Sequence, residues 1–146
     1  MKKVIFLDFD GVVTTAESDY VFVPELLGRL GEILSATGAG IVISSSRRGP
    51  TLQDTIESIT DPENPHVGSV PFPFTDKVIG ITPHTLAWLR GQQVEAYLKE
   101  HPEVESYVIL DDEDRFFPEQ KEHLVLVHSY TGLTETDVTG AIKILK

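Results

Sequence analysis

Short apolar runs alternate along this chain with stretches of helical periodicity. Lys3 to Leu7 is rich in β-formers and ends in acid at Asp8. A run without polar alternation predicts a strand buried on both faces. Pro24 opens a helical pattern in which Leu26, Leu27, Leu30, Ile33 and Leu34 recur at three- and four-residue spacing, and Gly38-Ala39-Gly40 stops it. Ile41-Val42-Ile43 predicts a second buried strand, running into Ser44-Ser45-Ser46. Thr51 to Ile59 predicts a second helix, with Leu52, Ile56 and Ile59 on one side. Asp61 to Phe74 carries four prolines and reads as a long loop. Val78 to Ile81 is a candidate short strand. Gly91 to Glu100 predicts a helix with Val94, Tyr97 and Leu98 as its stripe. Tyr107 to Leu110 predicts a strand followed by Asp111-Asp112, and Leu124 to Val127 another. Thr134 to Leu145 closes the chain as a helix behind a loose capping box, Thr134-Glu135-Thr136-Asp137.

Strand and helix in this order imply βαβ units, hence an α/β, doubly wound, Rossmann-like and mostly parallel sheet with helices on both faces. Ligands of such sheets bind at the carboxyl ends of the strands. Asp8 and Asp10, Ser44, and Asp111 with Asp112 all follow predicted strands, so this architecture gathers them into one crevice.

A length of 146 residues fits one domain, taken as 1–146, and no repeat divides it. The formal net charge of −11 argues against an extended nucleic-acid surface. There is no cysteine, hence no disulfide and no thiolate chemistry, which fits a cytoplasmic protein. Acid at Asp8 and Asp10 interrupts the apolar N-terminus too early for a signal peptide. No apolar run approaches the roughly 20 residues of a membrane span.

The clustered acids change the picture most. In an extended segment Asp8 and Asp10 point to the same side. Carboxylates that close repel, and one pKa rises unless a cation sits between them. With Asp111 and Asp112 they form a hard-oxygen set that suits Mg²⁺ better than zinc. One Asp can then attack phosphorus while another serves as general acid and base. Ser44 can hydrogen-bond a phosphoryl oxygen. Arg90, at a helix start, offers a forked cation for the transferring group, and Lys77 is its competitor. Arg90 is preferred, because it abuts the helix before the Asp-Asp strand while Lys77 sits beside the proline-rich loop. The five histidines show no ligand spacing. Trp88 with Leu86 and Leu89, and the pair Phe72 and Phe74, read as packing.

These residues resemble a known family. Phe6-Leu7-Asp8-Phe9-Asp10-Gly11-Val12-Val13 is similar to the first motif of the haloacid dehalogenase (HAD) superfamily of phosphohydrolases. Ile41-Val42-Ile43-Ser44 resembles its second motif, Arg90 stands where its third-motif cation would be, and Tyr107 to Asp112 resembles the fourth. The resemblance implies a HAD-like fold, Asp8 as nucleophile and Asp10 as acid/base. It implies Mg²⁺ held by Asp8, the carbonyl oxygen of Asp10 and an acid of the Asp111-Asp112 pair. Family members that dehalogenate carbon lack the second Asp of the first motif, so Asp10 points to phosphate chemistry.

Ser44 to Gly49, Arg90 to Leu98 and His128 to Thr134 resemble, more closely, the capless HAD domains joined to RNA-repair proteins. They are more distantly similar to polynucleotide kinase-phosphatase phosphatase domains. Those relatives often carry Trp-Arg after the serines, where Arg47 and Arg48 stand here as candidate substrate-binding residues. The resemblance implies a phosphorylated small molecule or a nucleic-acid end as partner. Val12 to Val23 is too short for a cap domain, and Asp61 to Leu89 amounts at most to a proline-stiffened lid. The rival expectation is a non-catalytic HAD-like module that binds a phosphorylated ligand or a protein.

Overall fold

The computed structural model describes residues 2–84 and 89–146. Its strands are β1 (Lys2–Leu7), β2 (Gly40–Ile43), β3 (Val78–Ile81), β4 (Val104–Asp111) and β5 (Leu124–Leu126). They form one parallel sheet in the order β3-β2-β1-β4-β5. The helices are α1 (Pro24–Thr37), α2 (Leu52–Thr60), α3 (Arg90–Glu100) and α4 (Glu135–Leu145). Each predicted element is present, and the sheet is parallel throughout rather than mostly so.

The inner segments 4–7, 41–43 and 108–110 are apolar at every position because both faces of the sheet are covered there. Val4, Phe6, Val42 and Ile109 meet Val94 and Tyr97 of α3, with the Phe6 and Tyr97 rings edge to face at 5.6 Å. Ile5, Leu7, Ile41, Ile43, Val108 and Leu110 face the other way, onto the apolar stripes of α1 and α4. Burying each such side chain contributes about 1.5–3 kcal/mol, which secures the register of the central strands. The local signals operate where expected. Gly38 ends α1 in the left-handed region at φ 70°. Thr134 Oγ1 accepts from the Asp137 amide, while Asp137 Oδ2 accepts from the Thr134 amide.

Leu7 lies level with Ile43 on one side and Leu110 on the other. The next residues therefore reach the same edge together. The Asp8 amide donates to Leu110 O at 3.0 Å, the Ser44 amide to Leu7 O at 3.0 Å, and the Val127 amide to Asp111 O at 2.8 Å.

The stretch expected as a lid is packed down instead, as far as it is described. Val67 and Phe72 are fully interior, and the Phe72 ring lies 5.4 Å from Phe9 and 5.7 Å from Phe22. The prolines stiffen a segment whose apolar side chains complete the core, and its chain then continues into β3. Leu89 is exposed, contrary to a packing role, and Leu86 and Trp88 lie outside the described residues. Among the described residues no helix is long and apolar enough to cross a membrane.

Candidate active site

β1 and β4 deliver their terminal carboxylates side by side. Asp8 and Asp111 are both buried, and Asp112 follows at the surface side. One carboxylate oxygen from each of the three lies within 4.8 Å of the others. Gly11 makes room for Asp112. Its φ is 86°, and a Cβ there would stand 2.3 Å from Asp112 Oδ2, so a side chain is excluded both by conformation and by space.

Arg90 joins this floor from the first turn of α3. Its Nη1 lies 3.0 Å from Asp8 Oδ1 and 2.9 Å from Asp111 Oδ2. A guanidinium at a helix N-terminus is opposed by the helix dipole. The two carboxylates outweigh that opposition, and the local conflict marks a site rather than a surface. Burial also disfavours the guanidinium's charge, yet Asp8, Asp111 and Asp112 together raise its pKa. The α3 start is fixed by contacts with the loop after β4. The Gly91 amide donates to Arg115 O at 3.0 Å, and buried Gln120 donates through Nε2 to Gly91 O at 2.9 Å. Gln120 carries no motif, and sequence reasoning missed it.

One arginine does not neutralise this floor. Burial pushes the Asp8 carboxyl up to about 7, with neighbouring Asp111 adding to the effect and Arg90 opposing it. Burial pushes Asp111 up to about 6, again against Arg90. Asp8 Oδ1 accepts from the Phe9 amide at 2.9 Å, and Asp111 Oδ1 from the Glu113 amide at 2.9 Å. Three converging carboxylates with a deficit of positive charge fit a hard divalent cation such as Mg²⁺.

Asp10 takes a different course from its neighbour. β1 ends at Leu7, Phe9 turns into the core, and Gly11 reverses the chain, so the extended geometry that would align Asp8 with Asp10 is broken. The Asp10 carboxylate lies outside the cluster of three. It accepts from Thr14 Oγ1 at 3.0 Å and from Arg47 Nη2 at 2.6 Å. Arg47 also donates to the carbonyl oxygens of Tyr20 and His66. It thereby ties Asp10, the flap after β1 and the proline-rich loop together.

The remaining candidates divide. Ser44 is buried at the end of β2, and among the described residues its hydroxyl has no hydrogen-bond partner, so it can donate to an incoming oxygen. Arg48 turns back on its own loop, donating to Ser44 O and Ser45 O, and does not line the cleft. It braces the serine turn, where the Arg48 amide also donates to Ser45 O at 3.1 Å. Lys77 lies away from the carboxylate cluster. It borders a hollow of about 270 Å³ with Lys2, Lys3 and Gly38 to Gly40, at the amino ends of the strands and away from Asp8.

Above the carboxylates opens a cleft of about 570 Å³. Asp8, Asp10, Arg90 and Asp112 line it, as do Tyr20, Ser46, Arg115, Ser129 and Tyr130, which sequence reasoning had not assigned to a site. Those five come from four separate loops and share no common motif.

A parallel sheet in this order, with an acid-rich crevice at its carboxyl edge, is a Rossmann-like arrangement consistent with a HAD domain. The family described as the HAD domain in Swiss Army Knife RNA repair proteins matches residues 4–138, and the chain belongs to it. Membership implies phosphohydrolase-type activity, and HAD domains generally use Mg²⁺. No curated protein and no solved structure matches the chain.

Proposed function

We propose that this chain is a Mg²⁺-dependent phosphomonoesterase that works through an aspartyl phosphate on Asp8. The observation that carries this reading is the convergence of Asp8, Asp111 and Asp112 within 4.8 Å beside Arg90 at the end of β1. Asp8, the carbonyl oxygen of Asp10 and the Asp111-Asp112 pair would hold the cation, which supplies charge neutralisation for an approaching phosphate. Asp8 attacks phosphorus, and the ester oxygen leaves. Arg90 steadies the Asp8 carboxylate and offers its remaining donors to phosphoryl oxygens. The Ser44 hydroxyl donates to another. Asp10 faces the same cleft from the flap, where it would protonate the leaving oxygen and then take a proton from the water that hydrolyses the acyl phosphate. Arg47, already bonded to Asp10, is the substrate-side arginine of the pair Arg47 and Arg48.

The family's description and the open cleft favour a nucleotide or a terminal phosphate of a nucleic-acid strand as substrate. The deciding experiment is beryllofluoride binding followed by fluorine NMR, alongside phosphate release from a substrate panel. Wild type with Mg²⁺ should form the acyl-phosphate mimic and release phosphate, and Asp8→Asn should do neither. Beryllofluoride binding of equal strength in both proteins would remove Asp8 from the role of nucleophile.

A further inference from the structure

Two aromatic rings stand exposed at the active-site cleft, and the phosphatase chemistry uses neither. Tyr20 is 46% exposed and Tyr130 is 77% exposed. Both line the cleft that contains Asp8, one from the flap after β1 and one from the loop after β5. Each is held by its backbone. Tyr20 sits in the left-handed region at φ 57°, which costs a bulky residue of order 1–3 kcal/mol. Its amide donates to Thr15 O at 2.9 Å, and Arg47 grips its carbonyl. Tyr130 rides on a tight turn closed by the Thr131 and Gly132 amides, both donating to His128 O. The His128 ring lies 5.5 Å from the Tyr130 ring.

The cleft does not end at the carboxylates. A second hollow of about 340 Å³ adjoins it, and Asp112, Ser129 and Tyr130 line both. The second hollow also presents Leu126, which is 54% exposed, and His128. A phosphate over Asp8 thus has, beside it, a region with apolar and aromatic walls.

We infer that Tyr20 and Tyr130 stack on the nucleobase of a substrate whose phosphate lies over Asp8, so that the leaving group is a nucleoside. This rests on the phosphomonoesterase reading above. Planar bases stack on aromatic side chains without regard to sequence. The second hollow shares Asp112, Ser129 and Tyr130 with the cleft but not Asp8, and Tyr20 lines the cleft side. That separation fits a base set one sugar away from phosphorus, and disfavours a phosphotyrosine, whose ring is bonded directly to the ester oxygen. With a net charge of −11 and acidic Asp112 and Glu113 on the cleft wall, the site suits a single terminal nucleotide over a long polyanionic track.

The test compares kcat/KM, with Mg²⁺, for nucleoside monophosphates, a terminally phosphorylated oligonucleotide, ribose 5-phosphate and phosphotyrosine. Wild type should prefer base-bearing substrates over ribose 5-phosphate by about tenfold or more, an effect of the size of one stacked base. Tyr130→Ala should reduce that ratio about tenfold, chiefly through KM, whereas Tyr130→Phe should preserve it. Tyr20→Asn removes the second ring while keeping a residue that tolerates the left-handed backbone, and should also reduce the ratio. The mononucleotide and oligonucleotide arms separate a free nucleotide from a strand end as source of the base. Turnover with no preference for a base, a preference unmoved by Tyr130→Ala, or faster turnover of phosphotyrosine would overturn the stacking site while leaving the phosphatase standing. If no substrate is turned over, the phosphatase reading fails instead. The stacking site is then judged by calorimetric binding of a nucleoside monophosphate against ribose 5-phosphate, and equal binding overturns it.

Discussion

Asp8 and Asp10 each pair with an arginine, and the two pairs stand in different physical settings. Asp8 meets Arg90 on the buried floor, where both side chains are almost wholly out of solvent and Asp111 shares the same nitrogen. Asp10 meets Arg47 on the flap, where the carboxylate is 37% exposed and the arginine also holds two loop carbonyls. The floor is positioned by the sheet ladder, which leaves its side chains little freedom. The flap pair is positioned by contacts between loops that can exchange partners at small cost. A nucleophile needs the first setting. An acid/base that must meet substrate, leaving group and water in turn is served by the second.

Replacing one carboxylate at a time separates the two. Asp8→Asn should reduce phosphate release by at least about a thousandfold, because the attacking oxygen is lost. The same change removes a carboxylate that burial holds near pKa 7. Without Mg²⁺ at pH 8 the variant should therefore melt at or above the wild-type temperature, as differential scanning fluorimetry would read. A clear fall in melting temperature would mean that the Asp8–Arg90 pair is net stabilising, against the charge deficit argued for the floor.

Arg90→Ala should be the most damaging change to stability. It leaves Asp8 and Asp111 buried together without their shared cation, and breaking a buried pair in this way costs about 3–5 kcal/mol. Chemical denaturation at pH 8 should show it as a lower midpoint at unchanged slope. At pH 5 the loss should shrink, since both carboxyls are then largely protonated. A loss of equal size at both pH values would point to packing at the α3 start rather than to charge.

The floor was legible in the sequence because strand ends are. Apolar runs without alternation fixed β1, β2 and β4 as interior strands, and parallel pairing then required Asp8, Ser44 and Asp111 to share an edge. Arg90 followed from its place before a helix that leads into β4. The flap and the loops were not legible in the same way. Asp10 was expected beside Asp8 on the assumption of an extended chain, and Gly11 breaks that assumption. Whether Arg47 or Arg48 met the site depended on a turn after β2, and that turn sends Arg48 back onto its own carbonyls. The proline-rich stretch looked like a lid because proline marks irregular backbone, while Phe72 and Val67 decide that it packs inward. Tyr20 and Tyr130 meet only through tertiary structure, and no spacing in the sequence links them.

The floor's charge deficit also sets how Mg²⁺ and pH interact. Asp8 and Asp111 hold protons in the folded chain at pH values where the unfolded chain has released them. Stability of the metal-free protein therefore falls as pH rises from the ordinary carboxylate range through about 7. A bound cation removes that penalty, and at lower pH it must first displace protons. Saturating Mg²⁺ should accordingly raise the melting temperature by several degrees at pH 8 and by less at pH 6. An increment that does not depend on pH would place the cation away from Asp8 and Asp111.

The smallest expected effect belongs to the flap pair, and its smallness is what tests the comparison. Arg47→Ala should cost about 1 kcal/mol or less in stability, because a partly exposed ion pair contributes little. Its consequence should fall on kinetics instead. Freed from Arg47, the Asp10 carboxylate keeps Thr14 as its partner among the described residues, and the flap loses its tie to the loop at His66. Turnover should drop about tenfold, since the flap no longer holds the Asp10 carboxylate in place over the cleft. Arg48→Ala provides the control, because that side chain supports the serine turn without touching Asp10. A larger loss of turnover in Arg48→Ala than in Arg47→Ala would assign the positioning of the acid/base to a different arginine from the one the flap displays.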